Sequence, residues 1–192
     1  MSATTRRERE RSARRRLIID TAREMAEDQG WDAVTVRKLA DQIEYSQPVL
    51  YSHFAGKSAI VSAVAEEGCA ELAAITRRAR EEAGDPVLAV AAVAAAYLAF
   101  ATERPAIYDA IFGMEVTLEF GPAAPQPLKD AFAELERTFA PFTGSDAETF
   151  TEVAWSSLHG LAALDRGKRL RPSHRDARLK IFVAQWTKGR SR

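Results

Sequence analysis

Residues 35–57 read TVRKLADQIEYSQPVLYSHFAGK, and the rest of the chain takes its meaning from them. Two short amphipathic segments lie on either side of a connection of about four residues, and neither is long enough to be stable alone. Thr35 is placed to cap the first segment, its hydroxyl accepting from backbone N–H groups that lack helical partners. Val34 and Leu39 stand where a hydrophobic staple would. Val36, Leu39, Ala40 and Ile43 recur at helical spacing. Ser46 is placed to cap the second segment, in which Val49, Leu50 and Phe54 form an inward stripe and Gln47, Tyr51, Ser52 and His53 face outward. Pro48 is tolerable in the first turn, where its missing N–H has no helical partner. Two helices crossing at a tight turn, the second with a polar and aromatic face, make a helix-turn-helix.

The segments T-V-R-K-L-A-D-Q-I and S-Q-P-V-L-Y-S-H-F-A-G-K-S-A-I resemble the DNA-binding domain of the TetR family of bacterial transcriptional regulators. The matching positions are Thr35, Leu39, Ala40, Ser46, Leu50, Tyr51, His53, Phe54 and Lys57, all in register. The family usually has a small residue, often Gly, in the turn where this chain has Ile43-Glu44-Tyr45, so Glu44 is expected to sit uncomfortably at a positive φ. That departure bears more on the aim of Gln47 than on phosphate clamps. A second resemblance lies further on: A-W-S-S-L-H-G-L-A-A-L at 154–164 and R-P-A-I-Y-D-A-I-F-G at 104–113 are similar to stretches of one group of TetR effector domains.

Composition allows this reading. Apolar residues make up 46% of the 192 and charged residues 28%, ordinary for a globular chain with length enough for a real core. Abundant alanine and little strand-like alternation favour an all-α fold. The single Cys69 excludes an intrachain disulfide and fits a reducing cytosol. The longest apolar run, Val87 to Phe100, reads as a buried helix, and the arginine-rich N-terminus lacks the apolar stretch of a signal peptide, so a cytoplasmic location and no membrane are expected. Net charge is zero, but it is unevenly spread. Residues 1–57 carry 11 Lys+Arg against 9 Asp+Glu, residues 58–165 carry 6 against 17, and residues 166–192 carry 10 against 1. The acidic middle is unsuited to DNA; the N-terminal end is suited to it.

About nine helices and three regions are expected: a flexible arginine-rich arm at 1–11, a DNA-binding domain at 12–57, and an effector-binding and dimerisation domain at 58–192. The arm (Arg6, Arg7, Arg9 and Arg11, continuing to Arg14, Arg15 and Arg16) reads as disordered when alone, able to add phosphate contacts or enter a minor groove. The first helix is expected from about Ser12 to Asp28, closed by Gly30, and a longer one from Gly56-Lys57-Ser58 to about Ala83. Gly84-Asp85-Pro86 punctuates the next boundary. Residues 114–127, with three prolines and a glycine, read as a loop and candidate gate. Pro127 is expected to start one helix. Ser145 to Glu148 forms a capping-box pattern for a helix to about Arg166, closed by Gly167, and Pro172-Ser173 opens the last.

Reading DNA requires backbone clamps and base-edge probes. Thr35, Tyr51, His53 and Lys57 suit clamping, with Ser46 at the helix start. Gln47 suits adenine, Ser52 is adaptable, Pro48 or Val49 suits a thymine methyl, and Arg37 suits a guanine or a phosphate. Because one such unit reads only a few base pairs, the expected partner is a palindromic stretch of double-stranded DNA bound by a homodimer. The resemblance implies that the last two helices pair with their copies, through Phe150, Val153, Ser157, Leu161, Ile181, Gln185 and Trp186. It also implies a small-molecule effector, lined here by candidates Tyr97, Phe100, Tyr108, Phe112, Phe120, Phe132, Trp155 and His159, whose apolar and aromatic character suits an apolar or aromatic ligand. No metal, cofactor or enzymatic activity is expected: the three histidines form no metal-spaced cluster, and neither a phosphate loop nor a nucleophile signature is present. A helical ligand-binding or interaction protein with vestigial DNA contact is the alternative.

Overall fold

A computed structural model describes residues 3–114, 119 and 121–188. Among them are nine α-helices and no strand: α1 (Ala3–Gln29), α2 (Val36–Gln42), α3 (Gln47–Tyr51), α4 (Lys57–Glu82), α5 (Pro86–Glu103), α6 (Pro105–Phe112), α7 (Gln126–Phe139), α8 (Ala147–Arg166) and α9 (Arg175–Trp186). The expected all-α class is what the chain adopts. The first helix departs from expectation, because it begins at Ala3 rather than near Ser12, so residues 3–11 are helical and not an unstructured arm. Arg and Glu are good helix formers. Glu10 also accepts from Arg6 at 2.9 Å and lies 4.0 Å from Arg14, pairs one turn apart that support an otherwise unpacked helix.

The chain forms two compact units, one of residues 1–68 with 104–119, the other of residues 69–103 with 120–192. The boundary between these units lies inside α4, and α6 belongs with the first unit. In that unit α1 packs against the 3-10 turn Trp31–Ala33, α2 and α6, and α2 packs on α3. Ile18, Ala22, Met25 and Ala26 of α1 are buried with Trp31, Val34, Leu39, Leu50 and Phe54. Trp31 is the keystone of this core. Its Nε1 donates to the Ala106 carbonyl at 2.7 Å, while the Ala106 N–H donates to Glu27 Oε2 at 3.2 Å. Gly30 sits at φ 79, the left-handed conformation that ends α1 and turns the chain into Trp31.

α4 and α6 approach too closely for a side chain at Gly68. A Cβ there would collide with Ile107 Cγ2 and lie 3.2 Å from Ile111 Cδ1. Gly68→Ala is therefore expected to destabilise the chain by about 1–3 kcal/mol, although alanine is the better helix former by about 1 kcal/mol. Urea unfolding measures this, and an unchanged or raised midpoint would refute the close-contact reading.

In the second unit α5 packs against α7, α8 and α9, and α7 against α8. α5 has the length and apolarity of a membrane span, yet Val90, Val93, Tyr97 and Phe100 are buried against its neighbours, as in a core helix. Glu134 of α7 is fully buried and accepts from Arg77 at 2.8 Å and Arg80 at 3.0 Å on α4, and from Arg137 at 2.5 Å. Burial alone would raise its pKa, but these hydrogen bonds and the Arg80 and Arg137 charges outweigh that and hold it lowered, so the carboxylate stays ionised. Phe139 meets Phe150 and Phe182 edge-on at 6.1 and 6.5 Å, joining α7, α8 and α9.

Most helix ends follow the sequence signals. Asp85 Oδ1 accepts from the Val87 and Leu88 N–H groups at 2.8 and 3.1 Å, and α7 starts one residue ahead of Pro127, at Gln126. One signal misses by one residue. The N-cap of α8 is Asp146, with no side-chain bond, so Ser145 stands one place too early for its capping box to close. At the other end Gly167 keeps φ −72, and Lys168 takes the left-handed conformation at φ 55. Arg169 N–H reaches back to the Leu164 carbonyl at 2.9 Å across that residue, the closure a Schellman end requires. α9 begins at Arg175, after a 3-10 turn at Pro172–His174.

Candidate nucleic-acid interface and effector site

The α2–α3 pair is built as its sequence dictates. Thr35 is the N-cap of α2, its Oγ1 accepting from the Lys38 N–H at 3.2 Å, which leaves the hydroxyl proton free to donate outward. Ile43 is the C-cap of α2, and Glu44 adopts φ 57, the strained conformation expected for this turn. The Tyr45 N–H then bonds back to Ala40 O at 2.9 Å, which fixes the direction in which α3 leaves. Ser46 is the N-cap of α3 but makes no side-chain cap bond, and Pro48 lies in the first turn.

Leu50 and Phe54 are buried and Val49 is half-buried, while Ser46, Gln47, Pro48, Tyr51 and Ser52 are exposed, Tyr51 to 55%. Arg37 and Lys38 are exposed on α2. Ser52 Oγ donates to the Val49 carbonyl at 2.6 Å, so its hydroxyl has lone pairs to offer a base edge but not its proton. Lys57 is half-buried and its Nζ donates to the Trp31 carbonyl at 2.5 Å, tying the start of α4 to the core. An ammonium has three donors, so one bond inward leaves two for a phosphate.

His53 is half-buried, and its pKa is lowered first by burial and then by the charges of Arg11, Arg14 and Arg15. Arg15 also places its guanidinium 4.4 Å from the centre of the Phe54 ring. The charges of these α1 arginines therefore act close to α3, a neighbourhood that sequence spacing could not reveal, because it depends on how α1 packs against the helix-turn-helix.

The effector candidates fall into three sets. Tyr97, Phe132, Trp155 and His159 come together in the second unit: Trp155 Nε1 donates to the buried Tyr97 hydroxyl at 3.1 Å, and that hydroxyl lies 3.4 Å from His159 Nδ1. Phe132 meets Trp155 edge-on at 6.4 Å. Burial lowers the His159 pKa, which keeps the imidazole neutral near pH 7 and the cluster uncharged. Phe100 is core in the same unit. Tyr108 and Phe112 form a ring pair of their own at 4.7 Å in the first unit. Phe120 and residues 115–118 of the candidate gate lie outside the described residues.

A separate cavity of about 290 Å³ opens between α5, α8 and α9, lined by Leu98, Leu161, Leu179 and the ion-paired Asp165, Arg175 and Arg178, and by none of the effector candidates. Of the dimer candidates, Val153, Ser157, Ile181 and Gln185 are exposed, Val153 to 51% and Ile181 to 69%. Phe150 and Trp186 are half-buried and meet each other edge-on at 5.2 Å within the chain. Leu161 is half-buried beside the cavity. No group of three or more metal-binding side chains is present among the described residues.

The profile of bacterial regulatory proteins of the tetR family matches residues 18–64, and that of the tetracyclin repressor-like C-terminal domain matches residues 90–185. The chain belongs to the TetR family. An HTH-type transcriptional repressor of Mycobacterium tuberculosis is 39% identical over 67 residues, 35% of this chain and 36% of the relative. An uncharacterized HTH-type transcriptional regulator of Bacillus subtilis is 32% identical over 96 residues, 50% of this chain and 49% of the relative. The chain thus spans half or less of the curated relatives it matches, which are regulators and not enzymes. A solved structure of a Rhodococcus sp. RHA1 protein of unknown function is similar over 91% of this TetR-family chain and 95% of its own, with 26% identity and a TM-score of 0.72.

Proposed function

We propose that this TetR-family chain is a cytoplasmic DNA-binding regulator, a homodimeric repressor released from a palindromic operator by a small apolar or aromatic ligand. The observation that carries the reading is the exposed row Thr35, Arg37, Gln47 and Tyr51 on a helix-turn-helix whose inward residues Leu39, Leu50 and Phe54 are buried. Thr35, Tyr51, His53 and one or two free donors of Lys57 hold phosphates. Gln47, with Ser52 as an acceptor, reads base edges.

Two heads on one palindrome require a partner surface, and Val153, Ser157, Ile181 and Gln185 on α8 and α9 supply exposed side chains for it. The ligand site is the Tyr97–Trp155–His159 cluster with Phe132, where aromatic walls and a neutral histidine favour an uncharged molecule bearing a hydrogen-bonding group. To release DNA, that molecule must bind one conformer better than the other.

The test is selection of duplexes by the full chain from a random-sequence library. The expected result is one enriched inverted repeat, bound with a Kd of about 10⁻⁸ M or tighter and weakening steeply with salt. No enrichment would overturn the reading in favour of a ligand-binding protein with vestigial DNA contact. Enrichment of a site without dyad symmetry would overturn the paired-head arrangement alone.

A further inference from the structure

The early start of α1 adds Arg6, Arg7, Arg9 and Arg11 to the helix that carries Arg14, Arg15 and Arg16, and the helix sorts these seven. Residues three and four apart share a face. Arg7, Arg11, Arg14 and Arg15 therefore continue, toward the N-terminus, the same stripe that buries Ile18, Ala22 and Met25 in the core. Arg6, Arg9 and Arg16 lie on the other side of the helix. The two halves of the stripe have different surroundings. From Ile18 onward it is covered by Trp31, Val34 and Leu39, whereas from Arg7 to Arg15 its residues are exposed.

Where the arginine half begins it meets the reading head. Arg15 covers the Phe54 ring, and the charges of Arg11, Arg14 and Arg15 act on His53, just past the C-terminal end of α3. We infer that this arginine face is a second, preformed DNA-contact surface, a rigid helical rail that grips the phosphates flanking the bases read by α3. The inference rests on the DNA-binding reading above and specifies a surface that reading does not include.

The charge argument supports duplex DNA as the occupant. Four arginines along about 12 Å of helix, at 1.5 Å per residue, set one positive charge per about 3 Å against a duplex that carries one negative charge per about 1.7 Å of axis, with Glu10 offsetting part of it through Arg6 and Arg14. A helix also holds its side chains at fixed spacing, so fewer degrees of freedom are lost on binding than from a disordered arm. Because the rail touches backbone only, it adds affinity and salt dependence without changing which bases are preferred.

The test compares two variants of equal charge. Arg7→Gln/Arg11→Gln/Arg14→Gln removes three cations from the rail; Arg6→Gln/Arg9→Gln/Arg16→Gln removes three from the other side. Arg15 is left intact because it packs on Phe54. The probe is the duplex selected by the full wild-type chain, with about ten base pairs of flank added on each side. For the rail variant, the slope of log affinity against log salt should fall in magnitude by about 0.9 for each phosphate no longer neutralised, roughly 5 for a two-headed complex. Its footprint should shorten at both edges with the base preference unchanged, while the other-side variant stays close to wild type. Equal losses of affinity in both variants, or none in either, would overturn the rail; with wild type binding normally, the DNA reading survives either result. A wild-type chain that selects no duplex removes both. Circular dichroism and thermal midpoints confirm that each variant is folded.

Discussion

Trp31→Ala is expected to lower the unfolding free energy by about 3–5 kcal/mol, the range for deleting a large aromatic side chain from a packed core. Several effects act together here. The indole is buried, with only 6% of its surface exposed, and its loss leaves a cavity in the core where α1 packs against the 3-10 turn. Its N–H also disappears from the Ala106 carbonyl, which becomes a buried acceptor without that donor. The main-chain oxygen that holds Lys57 stays chemically in place but loses the packing that positions it. Denaturant unfolding measures the loss. Trp31→Phe provides the control, keeping most of the volume while losing the hydrogen bond, and should be affected far less. A loss under about 1 kcal/mol for alanine would show that Trp31 is not the centre of this core.

The second large effect concerns DNA. Replacing Gln47 and Tyr51 together by alanine is expected to weaken operator binding by about 1–3 kcal/mol per contact, or several hundredfold for each of the two heads if each contact lies mid-range. The singles should separate by kind. Gln47→Ala relaxes preference at one base pair, as loss of a base-edge probe must, while Tyr51→Ala weakens all sequences alike. Both side chains are exposed, so neither change should disturb the fold. Lys57 is unsuited to this experiment, since its bond to the Trp31 carbonyl would mix a change in stability with a change in DNA affinity. Titration of the selected duplex at fixed salt decides the matter, and unchanged affinity in the double variant would remove α3 from the interface.

Local signals carried much of this architecture. The caps at Thr35 and Asp85, the breaks at Gly30 and Gly84, and the inward stripe of Leu39, Leu50 and Phe54 each act within one or two turns, so they can be read from spacing alone. Where the reading failed, two patterns competed or distance intervened. The arginine-rich start looked unable to fold because it has no apolar face, but helix propensity and the Glu10 pairs suffice for a helix anchored at one end. Ser145 carries the right residue type one position away from the real cap, the usual margin for element ends.

The candidate site divides in the same way. The outward face of α3 follows from helical period, whereas the bond from Lys57 to Trp31, the Tyr97 hydroxyl between Trp155 and His159, and the arginines beside His53 join residues from separate elements. Such neighbours are set by tertiary packing, and no pattern in a single chain encodes them.

The backward-bonded turn at Glu44 has an evolutionary consequence. A residue with a Cβ held at φ 57 stores about 1 kcal/mol that glycine would not. Either glutamate codon becomes a glycine codon by one base change, so the relief is always within mutational reach. The chain has not taken that step and operates below the stability its own fold permits. That is the general condition of proteins held only above a threshold, and it leaves this turn as spare capacity able to offset a destabilising change elsewhere.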